Sequence, residues 1–163
     1  MKNIQITILF IFISSCTIFA QTGNEALGNQ AGISITSGDF NTFIGDLAGQ
    51  NLTSGLNNIF IGYKAGQNNI ERNDNVFIGF EAGLKSMTND DNVFIGYEAG
   101  KSNRTFDNVF IGTEAGENNT TGTSNVFIGE ETGTDNTTGE KNVFIGEKAG
   151  TNNTTGDDNV FIG

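Results

Sequence analysis

The sequence predicts an all-β fold, a parallel β-solenoid or β-roll of about eight coils of 17 residues. Three recurrences predict it. Asn-Val-Phe-Ile-Gly begins at Asn75, Asn92, Asn108, Asn125, Asn142 and Asn159, with close variants at Asn41 and Asn58 and a degenerate copy at Asn24. Ala-Gly follows at Ala31, Ala48, Ala65, Ala82, Ala99, Ala115 and Ala149, with Thr132 as the single replacement. Asn-Thr-Thr-Gly closes the later units at 119–122, 136–139 and 153–156. The spacing is 17 residues throughout, except 16 between Asn92 and Asn108.

Each part has a physical reading. Val-Phe-Ile is β-branched and aromatic, which suits a strand, and Asn and Gly bound it as turn residues. The glycine after Ile is where the chain turns at positive φ with little steric cost. Ala fits a tight inner corner, and the Asn-Thr-Gly segment has the chemistry of an exposed turn. No segment carries apolar residues at helical spacing. Composition bias alone would not hold a fixed register, which argues against a disordered Gly/Asn-rich tether.

Stacked coils place equivalent residues one strand spacing apart, about 4.8 Å, so the chain should build ladders. Asn24, Asn41, Asn58, Asn75, Asn92, Asn108, Asn125, Asn142 and Asn159 form one, with amides able to bond to the copies above and below. Along Val-Phe-Ile, neighbouring side chains point to opposite faces. We assign Val, Ile and Ala to the interior and Phe to the outside. Phe43, Phe60, Phe77, Phe94, Phe110, Phe127, Phe144 and Phe161 then form an outward stripe of roughly 1,000 Å², the candidate oligomer interface. The opposite assignment, Phe inside, leaves a flatter Val/Ile stripe.

The first twenty residues differ. Lys2, an apolar core at 6–13 and Phe19-Ala20-Gln21 read as a signal peptide at 1–20, leaving 21–163 as the repeat domain. The alternative is a lipoprotein, because Ile13-Ser14-Ser15-Cys16 resembles a bacterial lipobox. Either way the address is secreted or cell-surface. The sequence stops at Gly163 inside a repeat, so a continuation or a covering partner is expected.

Chemistry is sparse. The chain has no His, and Cys16 is its one cysteine, which removes the usual general bases and thiol nucleophiles; we expect no enzyme and no cofactor. Eight basic against 19 acidic residues, a net charge of −11, argues against nucleic acid, and no membrane insertion of the mature chain is expected. Glu81, Glu98, Glu114, Glu130 and Glu131, with Lys64 and Lys148, read as a solvated face. Asp74, Asp91, Asp107 and Asp158, doubled by Asp90 and Asp157, are candidate calcium ligands, although Asn57, Ser124 and Lys141 interrupt the column. Thr120-Thr121, Thr137-Thr138 and Thr154-Thr155 would stack into a short Thr array, the basis of an ice-binding alternative.

With its motifs in hand, the unit NVFIGxxAGxxNTTGxx resembles two groups: the left-handed parallel β-roll of trimeric autotransporter adhesin heads, and secreted bacterial fibre proteins with Asn-Thr-Thr-Gly and Ile-Gly-x-x-Ala repeats. It departs from the former in carrying Phe between Val and Ile and in its longer period. The resemblance covers residues 24–163. It implies a homotrimeric structural or adhesive surface fibre acting on an unknown receptor or matrix. A ligand-binding solenoid for ice or calcium, and a phage-type tail-fibre shaft, are the alternatives.

Overall fold

The computed structural model describes residues 23–87 and 90–163. The expected signal peptide at 1–20, with Cys16, lies outside the described residues, as do Thr88 and Asn89. Among the described residues there are nine three-residue strands: β1 Glu25–Leu27, β2 Thr42–Ile44, β3 Ile59–Ile61, β4 Val76–Ile78, β5 Val93–Ile95, β6 Val109–Ile111, β7 Val126–Ile128, β8 Val143–Ile145 and β9 Val160–Ile162. They form one parallel sheet in sequence order, so the chain is an all-β parallel solenoid that climbs one rung per repeat. Register is strict, with Phe over Phe and Ile over Ile.

The corners are bonded as thoroughly as the strands. In the coil from Asn75, Val76 N donates to Asn92 O at 2.8 Å in the next coil, and Gly79 N to Ile61 O at 2.7 Å in the previous one. Beyond the strand, Glu81 N reaches Tyr63 O at 2.9 Å and Gly83 N reaches Ala99 O at 3.0 Å. Narrow coils with this many internal polar groups survive because the neighbouring coils satisfy the backbone. The bends need left-handed backbone: Gly79 (φ 143°), Glu81 (53°), Gly83 (60°) and Asp91 (58°) repeat their conformations coil after coil. At Gly79 a Cβ would lie against the Gly96 carbonyl of the next coil, so glycine there permits the coils to close up.

The interior corrects the sequence expectation. Phe43, Phe60, Phe77, Phe94, Phe110, Phe127 and Phe144 are 0% exposed, and Val and Ile face outward. Parity along the strand is as expected, but the inside and outside are exchanged. The reason lies in Ala-Gly across the coil: a Cβ on Gly83 would come 2.6 Å from the Phe77 ring. The small residues make room for the large ring that faces them. From Phe60 to Phe161 the rings stack at centroid distances of 4.8–5.0 Å and interplanar angles of 3–11°. A flat ring fits the strand spacing, and the glycine opposite leaves room for it. Phe43 tilts 50° to Phe60; the rung beneath it has Ala26 in place of a ring.

Two further columns line the interior. In the Asn ladder, Asn58 donates to Asn41 Oδ1 from both its backbone N and its Nδ2, each at 2.9 Å, and Asn142 does the same to Asn125 at 2.9 and 3.1 Å. The expected amide stacking is therefore present, and the amide also anchors the main chain. The other column is the twelfth residue of each unit, which the sequence reading placed in an exposed turn. It is buried instead, as Ile35, Leu52, Asn69, Ser86, Asn103, Asn119 and Asn136. The coil that is one residue short keeps its register, Phe94 over Phe110, and absorbs the deletion in its loop, where Thr105 Oγ1 donates to Gly122 O at 2.8 Å.

Candidate interaction surface

The interior columns serve the fold, so any functional surface lies on the outside of the rod. The Phe residues proposed from sequence as an oligomer contact are not available for one. Phe161, on the last rung, is partly exposed and stacks on Phe144.

The outer face of the sheet carries two columns instead. One is Ile59, Val76, Val93, Val109, Val126, Val143 and Val160; the other starts at Leu27 and Ile44 and continues with Ile at every rung to Ile162. All are half-buried or exposed, because each packs against the copies above and below while its tip meets solvent. From β3 to β9 no charged residue interrupts the strands.

Beside this face, just past the strand glycine, stands a ladder that sequence reasoning missed. Tyr63, Phe80 and Tyr97 stack at 5.4 and 5.1 Å and remain 42%, 41% and 46% exposed. The rings turn their faces to one another and their edges to solvent. Lys64 Nζ lies 5.0 Å from the centroid of the Tyr63 ring, a cation–π contact. The signal was available: three consecutive repeats carry an aromatic residue at one register position that is polar or acidic elsewhere.

The Glu/Lys column runs alongside. Glu81 bridges Lys64 at 3.6 Å and Lys101 at 3.5 Å, while Lys101 also pairs with Glu98 at 2.8 Å. At Glu98, burial works against ionisation, but the Lys101 and Tyr97 hydrogen bonds prevail and hold the carboxyl below its ordinary value. The hydrogen bond with Glu98 raises the Tyr97 hydroxyl, and the same carboxylate raises Lys101. Burial, then the Glu98 charge, raise Glu117. Lys148 pairs with Glu131 at 3.6 Å in the later coils. These charges form a rim next to the apolar face.

The remaining candidates have conformational explanations. Asp74, Asp91, Asp107 and Asp158 occupy a left-handed corner with φ of 55–61°, where Asp and Asn are favoured over other side chains. Their side chains are exposed, and among the described residues no three acidic, His or Cys side chains converge on a metal position. Asp90 and Asp157 accept the backbone N–H of Asn73 and Glu140, one coil earlier, each at 2.8 Å. In the Thr columns, Thr120 and Thr137 donate their hydroxyls to Thr137 O and Thr154 O at 2.9 Å, which in those two pairs leaves the second Thr for an outer ligand. No family model, curated protein or solved structure matches the chain.

Proposed function

We propose that the chain is a structural or adhesive shaft of a secreted or cell-surface fibre, acting without catalysis. The observation that carries this reading is the unbroken stack of nine in-register rungs, which builds a rod of about 40 Å from interior columns of the same residues. Such a rod offers length, rigidity and repeated outer columns, the properties of a spacer or display element. The absence of His and the single Cys16 in the sequence agree with a role that needs no nucleophile or general base. A phage-type tail-fibre shaft would use the same architecture. The ice-binding alternative loses ground, because the Thr120 and Thr137 hydroxyls of its short array are committed to backbone carbonyls.

The test is to label intact producing cells and their culture fluid with an antibody to the repeat domain, and to image the labelled particles by electron microscopy. Elongated particles outside the cytoplasm, carrying a chain that begins at Gln21 or at a lipid-modified Cys16, support the proposal. A chain retained in the cytoplasm refutes it.

A further inference from the structure

We propose that a second copy of this chain docks face to face on the outer Val/Ile columns, with Tyr63, Phe80 and Tyr97 at the edge of the contact, so that the rods work as pairs. The proposal deepens the fibre reading above, yet the two can fail separately.

Area is the first argument. Nine rungs of a three-residue strand make a face of about 40 by 10 Å, some 400 Å² in projection. Three aromatic rings that are 41–46% exposed add roughly 250 Å². Two copies would together bury about 1,300 Å², within the range of specific interfaces and above that of most lattice contacts.

Charge is the second. The chain carries 19 acidic and 8 basic residues, so two copies repel wherever their acidic corners meet. The strand face from β3 to β9 is free of charge, and Glu25 of β1 lies at the far end. The Lys64–Glu81–Lys101–Glu98 network borders the aromatic column as matched pairs, the polar rim that an apolar contact needs.

Period is the third, and it selects this chain over other partners. The ridges on the face repeat at the strand spacing of about 4.8 Å for the whole rod. A second copy has the same period, so its side chains interdigitate at every rung. An ordinary sheet shares the spacing but twists by about 20° per strand and would diverge from this face within a few rungs. Each coil presents one such face, and pairing two rods covers both completely.

Sedimentation equilibrium of the full chain tests this, alongside the variant Val76→Thr/Ile78→Thr/Val93→Thr/Ile95→Thr and the variant Phe80→Ser. Threonine keeps the strand preference, and these side chains lie outside the core, so the far-UV circular dichroism should be unchanged. The expected result is twice the chain mass for the parent and a dissociation constant weakened about 100-fold or more in the fourfold variant. Phe80→Ser should weaken pairing less. A parent chain that is monomeric, a mass of three chains, or a dimer indifferent to the fourfold change would overturn the proposal. A monomeric rod on the cell surface would refute the pair and leave the fibre; a dimer confined to the cytoplasm would do the reverse.

Discussion

The first coils and the last solve the same packing problem with opposite chemistry. At the twelfth residue of the unit, the early coils place Ile35 and Leu52, which join the Phe/Ala core. The late coils place Asn103, Asn119, Asn136 and Asn153, where the Nδ2 of Asn119, Asn136 and Asn153 donates to the Oδ1 below at 2.6–2.8 Å. The same amides reach Gly122, Gly139 and Gly156 carbonyls at 2.9–3.1 Å in their own loops. Both columns are buried and both fit one backbone. Between them the pattern breaks: Asn69 lies above Leu52 and below Ser86, and neither its Nδ2 nor its Oδ1 has a hydrogen-bond partner. A solenoid column therefore accepts apolar or amide side chains, but a buried amide is satisfied here only where its neighbours match. Identity along the column matters more than polarity.

That comparison can be broken most severely through the column both regions share. Phe110→Ala should cost about 3–5 kcal/mol of unfolding free energy, by loss of a fully buried ring and of stacking to both neighbours. Chemical denaturation followed by circular dichroism measures it. The mismatch rule gives the next effect. Asn136→Leu strands the Asn119 oxygen in the interior, takes one acceptor from the Asn153 amide and should cost about 2–4 kcal/mol, whereas a uniform Leu column would not. Asn69→Leu should do the reverse and stabilise by about 1–2 kcal/mol, since it removes two unpaired buried groups and extends the Leu52 column. A destabilised Asn69→Leu chain would show that matching is not what the column requires.

The smallest effect concerns pH. Glu117 has its carboxyl raised, so its protonated form favours the fold and that contribution is lost as pH rises through the raised value. Glu98 is lowered, so its contribution is present above the ordinary carboxylate range and is lost as pH falls. Glu117→Gln should therefore leave acid stability unchanged and raise the thermal midpoint slightly near neutrality. Thermal scans at pH 4 and pH 7 read the difference.

Much of this architecture was legible in the residues. The register, the Val-Phe-Ile strand, the positive-φ glycine after Ile and the Asn ladder all follow from recurrence plus backbone sterics. The interior was not, because strand alternation yields two inside-out solutions and only the opposite wall decides between them. Ala82 reads from sequence as the lining of a tight inner corner, whereas the smallness of Ala82-Gly83 is the complement of the Phe77 ring. Asn119 and Asn136 look like turn residues because their loop neighbours are; burial of an amide becomes visible only when the copy below is seen to receive it. Tyr63, Phe80 and Tyr97 sit at a variable position and form a surface only once three coils are stacked.

The central claim is that the Phe column is the core and the Val/Ile columns are the surface. Fluorine NMR of the chain labelled with fluorophenylalanine, titrated with a soluble paramagnetic agent, tests it directly. Phe43, Phe60, Phe77, Phe94, Phe110, Phe127 and Phe144 should keep narrow lines, while Phe40, Phe80, Phe106 and Phe161, exposed by 41–63%, broaden. Broadening of Phe77, Phe94 and Phe110 in the folded chain would contradict it and return the aromatic column to the outside of the rod.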